Sequence, residues 1–209
     1  MNRKVIFLTG MLGVSLLLTS FILGVLLIEN YDILSQFISE SYAIDTEYGL
    51  LLRIFGYIPS GILIALFCFL SVHYFQPNAM VKIGFYGIGI FYGIGSSVTG
   101  IFPCDSGCNK ELIDPSLSQL IHNFAALSMY LLAPFFLILI GFGLKKSTFG
   151  RFSRQSIFLG IISFILICVL GSELVSEYTG LYQRMIELTF ILWVIFCAYE
   201  IKSNNSLNL

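Results

Sequence analysis

Long apolar runs without a charged side chain are the feature that most constrains this sequence. Residues 5–28 and residues 121–144 each provide 24 consecutive positions free of Asp, Glu, Lys and Arg. A helix of about 20 apolar residues is long enough to cross the hydrocarbon core of a membrane. Because lipid offers no hydrogen-bond partners to the backbone, such segments have to be helical. The chain is therefore predicted to be an integral membrane protein.

Six mostly apolar segments divide the 209 residues, and the sixth carries Arg184 and Glu187 in its first turns. Charged residues make up 11% of the chain, against about 25% in soluble domains, so this composition could not cover a water-exposed surface. We predict an all-α fold, a polytopic membrane bundle of six transmembrane helices that forms a single domain over residues 1–209. The predicted helices are 5–28, 53–75, 82–102, 115–144, 155–174 and 181–202.

Basic residues are distributed unevenly between the loops. With the N-terminus in the cytoplasm, eight of the eleven Lys and Arg residues fall inside, and Arg53, Lys110 and Arg184 fall outside. Lys and Arg concentrate in cytoplasmic loops, so we predict a multi-pass protein of the cell membrane with both termini cytoplasmic. Membrane lipids are the expected partners, and a net charge of −1 argues against nucleic acid.

The third helix carries a stripe of small residues. Gly89, Gly93, Ser97 and Gly100 share one face, which lets another helix backbone approach closely. Packing against a helix of the same chain is the first interpretation. A homo-oligomer that uses this glycine face is the alternative.

Two of the five cysteines lie in a predicted outer loop. Cys104 and Cys108 flank a short turn in which Gly107 permits tight backbone geometry, so a disulfide is expected in an oxidising compartment. A redox-active pair is the sharper alternative. The other three cysteines lie in apolar helices and are read as buried hydrophobic residues.

The two histidines do not predict a metal or haem site. His73 lies at the inner end of the second helix and His122 near the outer end of the fourth. Most of the bilayer would separate them, so they cannot ligate one iron. We predict no metal and no cofactor.

Polar side chains do gather near the outer ends of several helices. Ionisable groups at membrane depth are costly and usually face the bundle interior. The sequence therefore predicts an outward-facing pocket that binds a small polar molecule or a lipid headgroup. Its candidate residues are Arg53, Asp105, His122, Asn123, Arg184 and Glu187. Because Arg184 and Glu187 lie three residues apart on one helix, they are expected to pair.

Two further functions compete with this binding or transport hypothesis. A structural or regulatory membrane subunit would need no ligand. A membrane-embedded hydrolase would use His122 as a general base, with Asp105 as its partner or as a metal ligand. Ser118, one turn before His122, would be a possible nucleophile.

The outer-loop residues also carry a family resemblance. The stretch from Phe102 to Cys108, FPCDSGC, is followed by SQLIHN from Ser118 to Asn123 and by two alanines. This pattern resembles the signature of a bacterial six-span membrane family, domain of unknown function 998, over nearly the whole chain. The resemblance implies the fold and the topology, and it implies no activity.

Overall fold

A computed structural model describes residues 2–75, 78–172 and 176–203 of the chain. The described residues form six long helices and no strand. The helices are α1 (Arg3–Leu27), α2 (Gly49–Ser71), α3 (Ala79–Ile101), α4 (Leu117–Leu144), α5 (Gly150–Ser172) and α6 (Thr179–Ser203). The predicted all-α polytopic bundle is confirmed.

Five of these helices, α1 to α5, are long and apolar enough to cross a membrane. Their outward faces carry large exposed apolar side chains such as Phe55, Phe124 and Phe158, which is the surface that lipid requires. That α6 is a sixth membrane span stays a prediction.

Several helix ends differ from the predicted ones. The second helix begins at Gly49 and ends at Ser71 instead of spanning 53–75, and α5 begins at Gly150 instead of residue 155. Leu117 begins α4 after Ser116, whose side chain accepts a hydrogen bond from the Gln119 N–H. Ser116 therefore supplies the N-cap, and the helix begins two residues after the predicted start at residue 115.

The helices pack as a ring in chain order. Each one contacts the next, and α6 closes the ring against α1. Side chains of α6 also reach across the interior. Trp193 contacts Phe85 of α3 and donates to Ser156 of α5. Because α6 packs against α5 and α1 and also reaches α3, its polar side chains Gln183, Glu187 and Thr189 are buried.

The small-residue stripe of α3 lies against α2. A Cβ atom added at Gly93 would lie 2.6 Å from the backbone nitrogen of Ala65. Ser97 donates to the carbonyl of Ile58 at 2.9 Å. The intramolecular interpretation of the stripe therefore fits the structure. A homo-oligomer stays a prediction, but this face is already occupied within the chain and is not available to it.

Both α2 and α3 contain a π-helical turn. The first covers Arg53–Tyr57, just before Pro59, and the second covers Ile88–Ile94. Proline lacks the backbone N–H that a regular helix uses, which accounts for the irregularity in α2. Such turns often occur at functional sites, and these two carry Tyr57 and Tyr92, which belong to the site described next.

Candidate functional site

The loops at one end of the bundle are fixed by a disulfide. Cys104 and Cys108 are bonded, with their Cα atoms 4.8 Å apart, which confirms the predicted pair. Gly107 between them has a φ of +58°, a left-handed conformation that glycine adopts without strain. The bonded sulfurs are buried against Ser39 and Ala43 of the preceding loop. We refer to this end of the molecule as the disulfide end.

A short 3₁₀ turn, Ile38–Tyr42, covers the disulfide end. We call it the capping turn. All five residues of the turn are buried, so it packs over the mouth of the bundle. The Ile38 N–H donates to Gln183 of α6 at 2.6 Å, and Glu40 forms an ion pair with Lys110 at 2.8 Å.

A small cavity of about 40 Å³ lies beneath the capping turn. Residues of α1, α2, α3, α4 and α6 line it together with the turn itself. Leucine, phenylalanine and methionine side chains form part of its wall, and hydroxyl, amide and ionisable groups form the rest. The ionisable, phenolic and amide side chains in the lining are Tyr42, Tyr57, His122, Tyr130, Gln183 and Glu187.

His122 is one of the residues that line this cavity. Its side chain is only 4% exposed. Nδ1 lies 2.9 Å from the carbonyl oxygen of Phe102 and 3.2 Å from that of Thr99. Because carbonyl oxygens can only accept, Nδ1 must carry the proton. In the neutral ring, Nε2 then keeps its lone pair and has no hydrogen-bond partner among the described residues.

Tyr57 brings a second polar atom without a partner. Within the described part of the chain, its hydroxyl is the one fully buried side-chain oxygen or nitrogen that lacks a hydrogen bond. The neighbouring Ser41 hydroxyl donates to the Ile38 carbonyl instead. Tyr42 packs against Tyr57 with ring centroids 4.2 Å apart and the ring planes tilted by 41°, and it donates its own hydroxyl to Thr99. Burial raises the pKa of Tyr42, so its phenol stays protonated.

Glu187 is the acidic group of the site. It is 5% exposed and accepts hydrogen bonds from the hydroxyls of Tyr92, at 2.9 Å, and Tyr130, at 2.7 Å. Helices α3, α4 and α6 thus hold one carboxyl group inside the bundle. An ionisable residue in such a position marks a functional site by default.

Arg184 does not pair with Glu187, so that prediction was wrong. Its guanidinium donates to the carbonyls of Gln36 and Gly180 and to the Tyr31 hydroxyl. Residues three apart can share a helix face, but here the arginine bonds to the first loop and to its own helix, while two tyrosines bond to the glutamate. Arg184 therefore fastens the first loop to α6 and lies outside the cavity lining.

Asp105 also lies apart from His122. Its carboxylate accepts from the backbone N–H and the hydroxyl of Ser116, and these bonds lower its pKa. Asp105 thereby fixes the start of α4. Ser118 donates to the Pro103 carbonyl. The catalytic pairing of Asp105 and His122 is absent among the described residues, so the hydrolase hypothesis loses its geometric basis.

The side chains of the remaining two predicted pocket residues form hydrogen bonds within their own helices. The side chain of Arg53 donates to the carbonyl of Gly49 in its own helix. Asn123 accepts from Gln119, one turn earlier in α4. Neither of them lines the cavity. Of the six predicted residues, the structure therefore brings together His122 and Glu187 alone.

Sequence reasoning missed the tyrosines and Gln183. Helical spacing was the signal that could have found two of them. Gln183 precedes Glu187 by four residues, and Tyr130 follows His122 by eight, which places each pair along one helix face. Tyr42 and Tyr57 gave no such signal, because their place in the site depends on how the capping turn folds over α2.

Comparisons with known proteins identify the family of the chain. No curated protein and no solved structure matches the chain. One family model, described as "Protein of unknown function (DUF998)", matches residues 11–200. Since this match covers nearly the whole sequence, including every residue of the cavity, the chain belongs to the DUF998 family of proteins of unknown function.

Proposed function

We propose that this membrane protein binds a small polar molecule, or the polar headgroup of a lipid, in the cavity beneath the capping turn. The observation that carries the proposal is that three chain-distant polar residues, His122, Tyr57 and Glu187, line one cavity, and that the Tyr57 hydroxyl has no hydrogen-bond partner among the described residues.

Energetics supports a ligand at this place. A buried polar group without a hydrogen bond costs about 1–3 kcal/mol, and the Tyr57 hydroxyl, on a residue that lines the cavity, is such a group. A ligand that bonded to this hydroxyl would remove that cost. Among the described residues, every other fully buried side-chain nitrogen or oxygen has a hydrogen-bond partner, so the unpaired Tyr57 hydroxyl stands out.

The cavity size limits what enters. One water needs roughly 10–15 Å³ of such space, so about 40 Å³ admits a group of two or three heavy atoms. A larger ligand would insert one polar end and leave the remainder beyond the capping turn. Deeper in the bundle, Phe190 and Trp193 follow Glu187 on α6. These apolar side chains favour binding over passage, so transport is the weaker form of the proposal.

The orientation of the site follows from the basic residues. Eight of the eleven Lys and Arg residues lie toward the end opposite the disulfide. With the cell membrane as its location and both termini in the cytoplasm, the cavity opens to the outside. A disulfide at this end suits an oxidising exterior.

Cysteine labelling tests whether the cavity admits a polar molecule from water. Ala126 lines the cavity between His122 and Tyr130 on α4, so Ala126→Cys places a thiol inside it. The reagent is neutral hydroxyethyl methanethiosulfonate, applied to purified protein in nanodiscs. Cys168, which is exposed on α5, is first replaced by serine.

Two control positions bracket the result. Ile113→Cys, in an exposed loop, should react fast, and Phe158→Cys, on the lipid face, should react slowly. Ala126→Cys should react within about a hundredfold of the loop position, because water reaches the cavity. A rate as slow as that of the lipid-facing cysteine would refute the proposed function.

A further inference from the structure

We propose that the group bound in this cavity is a small organic ammonium, the –NH₃⁺ end of a soluble amine or of an aminolipid headgroup. This inference rests on the function proposed above and specifies its ligand.

The charges around the cavity favour a cation. Glu187 is its acidic residue, and the described lining contains no Lys or Arg. Arg184 of α6 and Arg53 of α2 do not line the cavity. Arg184 donates to the Gln36 carbonyl of the first loop, and Arg53 donates to the Gly49 carbonyl. An anion placed here would meet a carboxyl group and no Lys or Arg side chain in the described lining, which disfavours phosphate or carboxylate ligands.

The hydrogen-bonding groups match an ammonium in number and kind. An –NH₃⁺ group has three donors and no acceptor. His122 Nε2 offers a lone pair, because Nδ1 carries the ring proton. Each Glu187 oxygen accepts one tyrosine and keeps a second acceptor position. The Tyr57 oxygen can accept as well, so three side chains with acceptor atoms line the same cavity.

The walls of the cavity suit a positive charge. Tyr42 and Tyr57 lie with their ring centroids 4.2 Å apart, Phe21 lies 6.0 Å from Tyr57, and Tyr42 lies 6.2 Å from the His122 ring. Aromatic faces attract cations, more strongly where water is excluded. A space of about 40 Å³ also fits a –CH₂–NH₃⁺ group and is too small for a sugar ring or a nucleobase.

The test compares three reagents at Ala126→Cys in the Cys168→Ser background. Aminoethyl, hydroxyethyl and sulfonatoethyl methanethiosulfonate carry a positive, a zero and a negative charge. Each rate is divided by the rate at Ile113→Cys. The cationic reagent should exceed the anionic one by about tenfold or more, and Glu187→Gln should remove most of that preference. Glu177→Gln, the same change at an exposed loop carboxyl, should leave it in place.

A protection experiment identifies the source of the amine. In phosphatidylcholine nanodiscs, 50 mM methylammonium chloride should slow the hydroxyethyl reaction at Ala126→Cys severalfold relative to 50 mM sodium chloride. Protection by methylammonium indicates a soluble amine. Protection that appears only when phosphatidylethanolamine replaces phosphatidylcholine indicates a lipid headgroup.

The outcomes separate the two proposals. If no reagent labels Ala126→Cys, the binding cavity itself is refuted. If the neutral reagent labels it but the anionic reagent reacts as fast as the cationic one, the ammonium inference fails and the binding function stands. If Glu187→Gln does not give a monodisperse protein, the methylammonium comparison in the Ala126→Cys, Cys168→Ser protein decides. The absence of protection by either amine source would then overturn the inference.

Discussion

Replacing Gly93 by alanine tests the helix packing on which the site is built. A Cβ at this position would lie 2.6 Å from the Ala65 nitrogen, 2.7 Å from its Cα and 2.8 Å from its Cβ. Two of those atoms belong to the backbone of α2, so no side-chain rotation relieves the contact. Overpacking of this kind costs about 1–3 kcal/mol. Tyr57 of α2 and Tyr92 of α3 lie on the two helices that would be pushed apart.

Gly95→Ala is the matched control. Its added Cβ would come no closer than 3.9 Å to the Ala125 oxygen or the Met129 Cβ, an ordinary contact. Both substitutions gain up to about 1 kcal/mol of helix propensity, and this gain cancels in the comparison. The free energy of unfolding of Gly93→Ala should therefore be lower than that of Gly95→Ala by about 1–3 kcal/mol.

Trp193 provides the signal for this comparison. It is the single tryptophan of the chain and is 1% exposed, so its fluorescence reports on the bundle core during a denaturant titration in detergent micelles. Equal stability of the two variants would show that the stripe of α3 does not contact α2. A change in oligomer dissociation without a change in unfolding would place the stripe at an interface between copies.

Three further predictions concern the disulfide end. Asp105→Asn should destabilise the protein at neutral pH and flatten its acid unfolding. The folded-state pKa of Asp105 lies below the ordinary 3.8, so its contribution is full above that value and is lost as pH falls through the lowered pKa. Thermal melts from pH 7 to pH 3 measure this, and unchanged melts would contradict it. Replacing Cys104 and Cys108 by serine should loosen the capping turn and speed labelling of Ala126→Cys; an unchanged rate would show that the disulfide does not hold the turn. Reporter fusions after Lys110 should read as extracytoplasmic and fusions after Gly150 as cytoplasmic, and the reverse pattern would overturn the orientation.

The lengths of the apolar runs were sufficient to predict the helical fold, and the glycine between two loop cysteines was sufficient to predict the disulfide. Runs such as residues 5–28 leave helices as the one way to satisfy the backbone in lipid, and Gly107 between Cys104 and Cys108 indicated the disulfide. Because ionisable groups are costly to bury in a membrane, His122 and Glu187 were predicted to share a pocket, and both line one cavity in the structure.

The rest of the site could not be derived from the sequence, because loop backbones compete for polar side chains. Arg184 donates to the Gln36 carbonyl, and Asp105 accepts from the Ser116 N–H just before α4. Neither partner is visible from helix spacing. Tyr57 enters the site only because the capping turn, which sequence patterns describe poorly, folds back over the bundle.

The central claim, that the cavity binds a polar group between His122, Tyr57 and Glu187, is tested most directly by an experimental structure. Electron cryomicroscopy of the protein in nanodiscs with 50 mM methylammonium chloride or with phosphatidylethanolamine would image the cavity. We predict a discrete density within hydrogen-bonding distance of His122 Nε2, the Tyr57 hydroxyl and the Glu187 carboxylate. An empty, collapsed cavity in which these three side chains bond to one another would contradict the account.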